Sequence, residues 1–250
     1  MSWCDKLAAT PAVGLKLTPH YIGSDAILNA LTPWFDEWAT PDKPPISAVR
    51  HESFAFGFTL DQGFQFAVEP GRTFVDFSHR IKMRTVSGGP PVVEMLSHPL
   101  PYTTLLPELH KRLADLTLTI PSPASRTFNR IGIVAKASIA PEDAPPGITR
   151  FLDYLGKPWK GLVGGYYFQV TGQIAAGPDF ADRCVHTLNK PETGENSQLL
   201  QLNFDWQRTF VAGQPLKKET LEDAFASAEK SALHYFEDLA EGNRFDADLD

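Results

Sequence analysis

Apolar residues recur along this chain with two different periods, and the changes between them mark out its elements. Val13, Leu15 and Leu17 alternate with small or polar residues, which predicts a short strand ended by Pro19. From Ser24, a residue type that caps helices, Ile27, Leu28, Leu31, Phe35 and Trp38 keep helical spacing. Pro33 is expected to kink that helix or start a new turn. Pro41, Pro44 and Pro45 then form a stiff connection. Phe54, Phe56, Phe58 and Leu60 fall on one face of a strand, with Ala55, Gly57 and Thr59 on the other. Asp61-Gln62-Gly63 turns the chain, Phe64, Phe66 and Val68 repeat the alternation, and Glu69-Pro70-Gly71-Arg72 turns it again before a third strand over 73–83. Three strands joined by short turns predict an antiparallel meander. Residues 87–101 are rich in Gly and Pro and read as an irregular loop. Leu105, Leu106, Leu109, Leu113 and Leu116 then mark an amphipathic helix, with Pro107 tolerated in its first turn.

After Pro121 and Pro123 a similar series begins. A strand is expected over 128–139, and a short helix over 148–155 stopped by Gly156 and Pro158. Strands over 162–174 and 181–188 flank Gly177-Pro178-Asp179, and 191–196 reads as an exposed loop. Leu200, Leu202, Phe204, Trp206 and Phe210 oppose Gln201, Asn203, Asp205 and Gln207, the signature of a half-exposed antiparallel strand. Leu221, Phe225, Ala228, Ala232, Phe236 and Leu239 form the stripe of a long helix that Gly242 is placed to stop. The expected fold class is α+β. It has two similar strand-helix-three-strand-helix halves, 1–122 and 123–250, whose antiparallel sheets are covered by long helices. The repeat rests on element order, and the halves are compatible with one continuous domain.

Composition narrows the setting. A chain of 250 residues with 42% hydrophobic content is that of a folded protein, and its net charge of −7 opposes non-specific attraction to phosphate backbones. Two cysteines, Cys4 and Cys184, are too few for a disulfide scaffold. The start Met1-Ser2-Trp3-Cys4-Asp5-Lys6 lacks the pattern of a signal peptide, and no run approaches the roughly 18 apolar residues of a membrane span. A soluble cytoplasmic protein is expected, with a solvated acidic tail over 245–250.

The segment Phe128-Asn129-Arg130-Ile131-Gly132-Ile133 resembles the central strand motif of a sporadically distributed, functionally uncharacterised bacterial family of about this length. The closing strand from Leu200 to Trp206, followed by a helix carrying His234 and Phe236, is similar too. Lys43-Pro44-Pro45-Ile46 before the Phe-rich strand resembles the family's opening, although some forty residues precede it here. Lys136, Ala137 and Ser138 stand where the family has basic and Asn residues. The resemblance implies a soluble bacterial protein and carries over no catalytic residues.

Candidate chemistry is sparse. Cys184 and His186 stand two apart on one strand face, which suits a base-activated nucleophile or half a metal site. Strand rise, however, sets such side chains about 6–7 Å apart, and no CxxC, HxxxH or HExxH supplies further ligands, so packing residues are the plainer reading. No metal and no cofactor is assigned. Arg50-His51-Glu52 and Ser78-His79-Arg80 are the densest polar clusters. If their strands are neighbours, His51, Glu52, His79 and Arg80 gather at one sheet end, suited to proton transfer or to holding an anion. A solvated strand end with incidental ion pairs, including Asp76 with Arg80, is the plainer reading. Arg80, Lys82 and Arg84 form a basic strip near aromatic sheets, the one hint of a nucleic-acid surface. Trp159, Tyr166 and Tyr167, set beside glycines, suit a ligand pocket, a partner surface or simply the core. No phosphate-binding glycine loop and no Gly-x-Ser-x-Gly elbow is present.

The leading expectation is a non-enzymatic binding or protein-interaction module, with a protein partner or self-association. The alternatives are a small-molecule binder or enzyme with a pocket between aromatic-rich sheet and helices, and a sheet-surface nucleic-acid binder.

Overall fold

The computed structural model describes residues 10–38, 46–60, 63–78, 81–84, 92–95, 100–156, 165–190 and 199–244. In chain order the elements are β1 (Thr10–Leu17), α1 (Ser24–Trp38), β2 (Ile46–Glu52), β3 (Ala55–Leu60), β4 (Phe64–Glu69), β5 (Arg72–Phe77), β6 (Ile81–Arg84) and β7 (Val92–Met95). They continue as α2 (Tyr102–Thr119), β8 (Thr127–Ile139), α3 (Pro146–Gly156), β9 (Tyr166–Ala176), β10 (Phe180–Lys190), β11 (Leu200–Pro215) and α4 (Lys218–Glu241). Nine strands form one antiparallel sheet in the order β2-β3-β4-β5-β1-β8-β11-β10-β9, and β6 with β7 makes a separate pair. The mixed α+β class expected from the periodicities is the one found.

Strand alternation decides which way each residue faces. In β1, Val13, Leu15 and Leu17 are buried while Ala12, Gly14 and Lys16 are not. Phe56, Phe58, Phe64, Phe66, Val75 and Phe77 join the same core, as do Phe128, Ile131, Ile133, Phe204 and Trp206. Each such side chain contributes about 1.5–3 kcal/mol of transfer free energy. Helix α2 packs against β1 and β5, while α4 packs against α2 and α3 and meets β8 and β11. The α4 stripe read from the sequence is buried at Leu221, Phe225, Ala228, Ala232, Phe236 and Leu239. Gly242, at φ +88°, ends that helix, and the Asn243 N–H reaches back to the Asp238 carbonyl at 2.8 Å.

Several elements differ from expectation. The stretch 46–52, not anticipated as a strand, is β2 and forms one edge of the sheet. The strand expected over 73–83 is two: after Phe77 the chain leaves the large sheet, and β6 pairs with β7 inside the stretch expected to be irregular. Phe54 precedes β3 in a turn and is half exposed, its ring edge-on to Tyr21. Ser24 begins α1, whereas the Gly23 carbonyl accepts the first bonds from Ala26 and Ile27. Leu28 points outward. The residues 157–164 and the loop 191–196 lie outside the described residues.

Candidate functional site

Where β1 meets β8, the outward residues shrink. Gly14 stands opposite Gly132 across this pair and opposite Phe74 of β5 on its other side. A Cβ on Gly132 would touch nothing within 4 Å. Backbone therefore floors a groove of about 750 Å³ lined by β1, β5, β8, Gln207 of β11 and the turn Glu69-Pro70-Gly71. One end of the groove is cationic. Lys16 is the register partner of Arg72 on β5 and of Arg130 on β8, so three positive side chains stand abreast across neighbouring strands. Arg72 donates from Nε to Glu69 at 2.5 Å, and Arg130 donates to Gln207 at 3.1 Å. The opposite end holds Asp76, opposite Ala12 and Gln65. Burial pushes the Asp76 carboxyl up to about 6, against the pull of Lys136.

The residues singled out by sequence are scattered. His51 lies at the far edge of the sheet and pairs with Asp25 of α1, Nε2 to Oδ1 3.2 Å, both exposed. Glu52 accepts from Arg50 at 2.8 Å along the same strand. Tyr166 and Tyr167 sit on β9 at the opposite edge: the half-buried Tyr166 has its hydroxyl pKa raised by burial, and the exposed Tyr167 donates to Gln169 at 2.6 Å. His51 and Glu52 thus lie at the other end of the nine-strand order from Tyr166 and Tyr167. His79, Arg80 and Trp159 lie outside the described residues. With them go the Asp76–Arg80 pairing and one member of the basic strip, whose Lys82 and Arg84 are on β6.

Cys184 and His186 do share a face, and Tyr235 of α4 bridges them. Its hydroxyl lies 3.1 Å from His186 Nδ1 and also bonds the Cys184 thiol. Burial pushes that thiol up to about 12, and it lowers the His186 pKa. A thiol pushed up that far beside an imidazole of lowered basicity disfavours proton transfer between them, so the two make a poor nucleophile–base pair. Two further polar sets are buried. Arg208 holds Asp182 with two bonds of 2.7 Å and also donates to Ser227 and Ser231 of α4. His110 of α2 meets Glu229 of α4 at 3.1 Å and stacks on Phe225 at 4.6 Å; burial lowers its pKa, against the pull of Glu229. Among the described residues no three His, Cys, Asp or Glu side chains are placed to hold a metal ion. No helix among them is long and apolar enough to cross a membrane.

Sequence reading missed the groove because strand register creates it. Lys16, Arg72 and Arg130 are far apart in the chain. In the sequence Gly132 and Arg130 stand out only as parts of a strand motif, and nothing local specifies the β1–β8 pairing that sets them beside Gly14 and Lys16. No protein-family model matches this chain, and no curated protein matches it significantly.

Proposed function

We propose that the protein is a non-enzymatic binding module whose ligand lies in the groove over Gly14 and Gly132. In this reading the chain repeats one unit of strand, helix, meander and closing helix. Helices shield one face of the sheet and the groove opens on the other. The pairing of β1 with β5 and of β8 with β11 supports the repeat, since each opening strand joins the last strand of its own meander. Membership in the uncharacterised bacterial family belongs to the same reading, supported by the central place of the Phe128–Ile133 segment in the sheet. The observation that carries the proposal is the backbone floor at Gly132, where side-chain volume is withheld from the middle of a large sheet.

A thermal-shift panel of organic acids, amines, sugars, nucleotides and short peptides tests it, run on the wild type and on Gly132→Trp. The indole fills open space, so the variant is expected to fold. At least one class should raise the wild-type Tm, with that rise lost in Gly132→Trp and no product formed. Turnover of a panel compound, or shifts that persist in the variant, would overturn the reading.

A further inference from the structure

We propose that the cationic end of the groove, Lys16 with Arg72 and Arg130 abreast of it, binds an oxyanion: a carboxylate or phosphate carried by the ligand. The proposal rests on the reading of the groove as the ligand site and names the chemistry that site takes.

Register is the first support. Lys16 faces Arg72 across one ladder and Arg130 across the next, and all three side chains line the groove. Directly opposed cross-strand positions set Cβ atoms about 4.5–5.5 Å apart, where like charges destabilise a sheet. Such a row is costly in the free protein and becomes favourable when an anion lies across it. Charge balance is the second support. The groove lining holds Lys16, Arg72, Arg130 and Lys136 against Glu69 and Asp76, a cationic surplus on a chain of net charge −7. Third, the neutralisation is uneven. Glu69 serves Arg72 through two bonds, and Arg130 is met by the neutral Gln207. Among the described residues no carboxylate pairs with Lys16 or Arg130. Two guanidiniums flanking an ammonium can meet a planar or tetrahedral oxyanion from both sides. The glycine floor beside them leaves room for the rest of the ligand.

Citrate and inorganic pyrophosphate are the probes, titrated by calorimetry and thermal shift against the full-length wild type, Lys16→Gln, Arg130→Gln and Gly132→Trp. At least one anion should bind the wild type, at least about 10-fold tighter than it binds Lys16→Gln or Arg130→Gln. The tighter probe tells whether carboxylate or phosphate is the preferred source. Binding should weaken as salt rises from about 20 mM to about 200 mM. Lys16→Gln should also melt slightly higher than the wild type without ligand at low salt, a sign that a folding defect does not share. No binding by either anion, or equal binding by the wild type and both charge variants, overturns the proposal. If panel compounds are lost in Gly132→Trp while the anions never bind, this proposal fails and the groove reading survives. If anion binding depends on Lys16 but ignores Gly132→Trp, the oxyanion site stands and the groove reading fails.

Discussion

Both wings of the sheet bury apolar rows on their inner faces, but only the C-terminal wing sets an ion pair among them. On the N-terminal side β3, β4 and β5 turn five phenylalanines inward, Phe56, Phe58, Phe64, Phe66 and Phe77, and Phe58 stacks on Phe66 with centroids 4.5 Å apart. On the C-terminal side the cross-strand partners Asp182 and Arg208 face inward, 1% and 4% exposed. Arg208 also lies 4.1 Å from the centre of the Phe180 ring. Apolar contact has little directionality, so the Phe-rich wing is held by area and shape. A buried ion pair gains little net stability after desolvation, yet it penalises any arrangement that separates its members. A one-residue slip between β10 and β11 would turn one member of the pair to the outer face and leave the other charge unpaired in the core. The comparison shows apolar volume holding both wings, with a constraint on register added to the C-terminal one.

The sharpest way to break this contrast is to remove one member of the pair. Arg208→Ala should lower unfolding free energy by about 3–5 kcal/mol in urea titration, because Asp182 is left buried without its partner. The double replacement Asp182→Leu with Arg208→Met should recover most of that loss. A double variant as weak as the single one would mean the pair is a true source of stability. On the other wing, Phe66→Ala should cost about 3–4 kcal/mol, while Phe66→Leu should cost about 1 kcal/mol. Equal losses for those two would show that ring stacking, and not volume, holds the Phe-rich side.

The smallest effect concerns charge on the outer face of the N-terminal wing. Asp76 binds its proton more tightly in the folded chain, at about 6, than at its ordinary 3.8. Its contribution therefore favours the fold at low pH and is lost as pH rises through that interval, levelling above it. Asp76→Asn should remove this dependence and gain about 1 kcal/mol at pH 7, after allowance for solvent screening at a partly exposed group. Unfolding free energies of both proteins between pH 4 and pH 7, read by denaturant titration, measure it. Parallel curves would contradict the assignment.

Much of the scaffold was legible because it is written in local period. The alternation of Phe64 to Val68 and of Leu200 to Trp206, and the stripe from Leu221 to Leu239, each name an element and its buried face. The strand β2 carries Arg50, His51 and Glu52, which masked its character. The end of β5 was hidden because 73–83 keeps alternating after the chain has left the sheet. The candidate site was not legible at all as a site. Residue types give no sign that Gly14 faces Gly132 or that Lys16 stands between two arginines, because pairing between β1 and β8 is information shared by distant segments. The same holds for Asp182 with Arg208 and for His110 with Glu229.

The β1–β8 ladder also has a consequence for how the molecule is made. It joins Gly14 to Gly132, so the middle of the sheet stays open at the ribosome until more than half the chain has emerged. Until then β1 offers a row of unused amide and carbonyl groups to any passing extended segment. Vectorial synthesis thus leaves this side of β1 an open edge of the nascent polypeptide, and arrival of β8 converts that hazard into the floor of the groove.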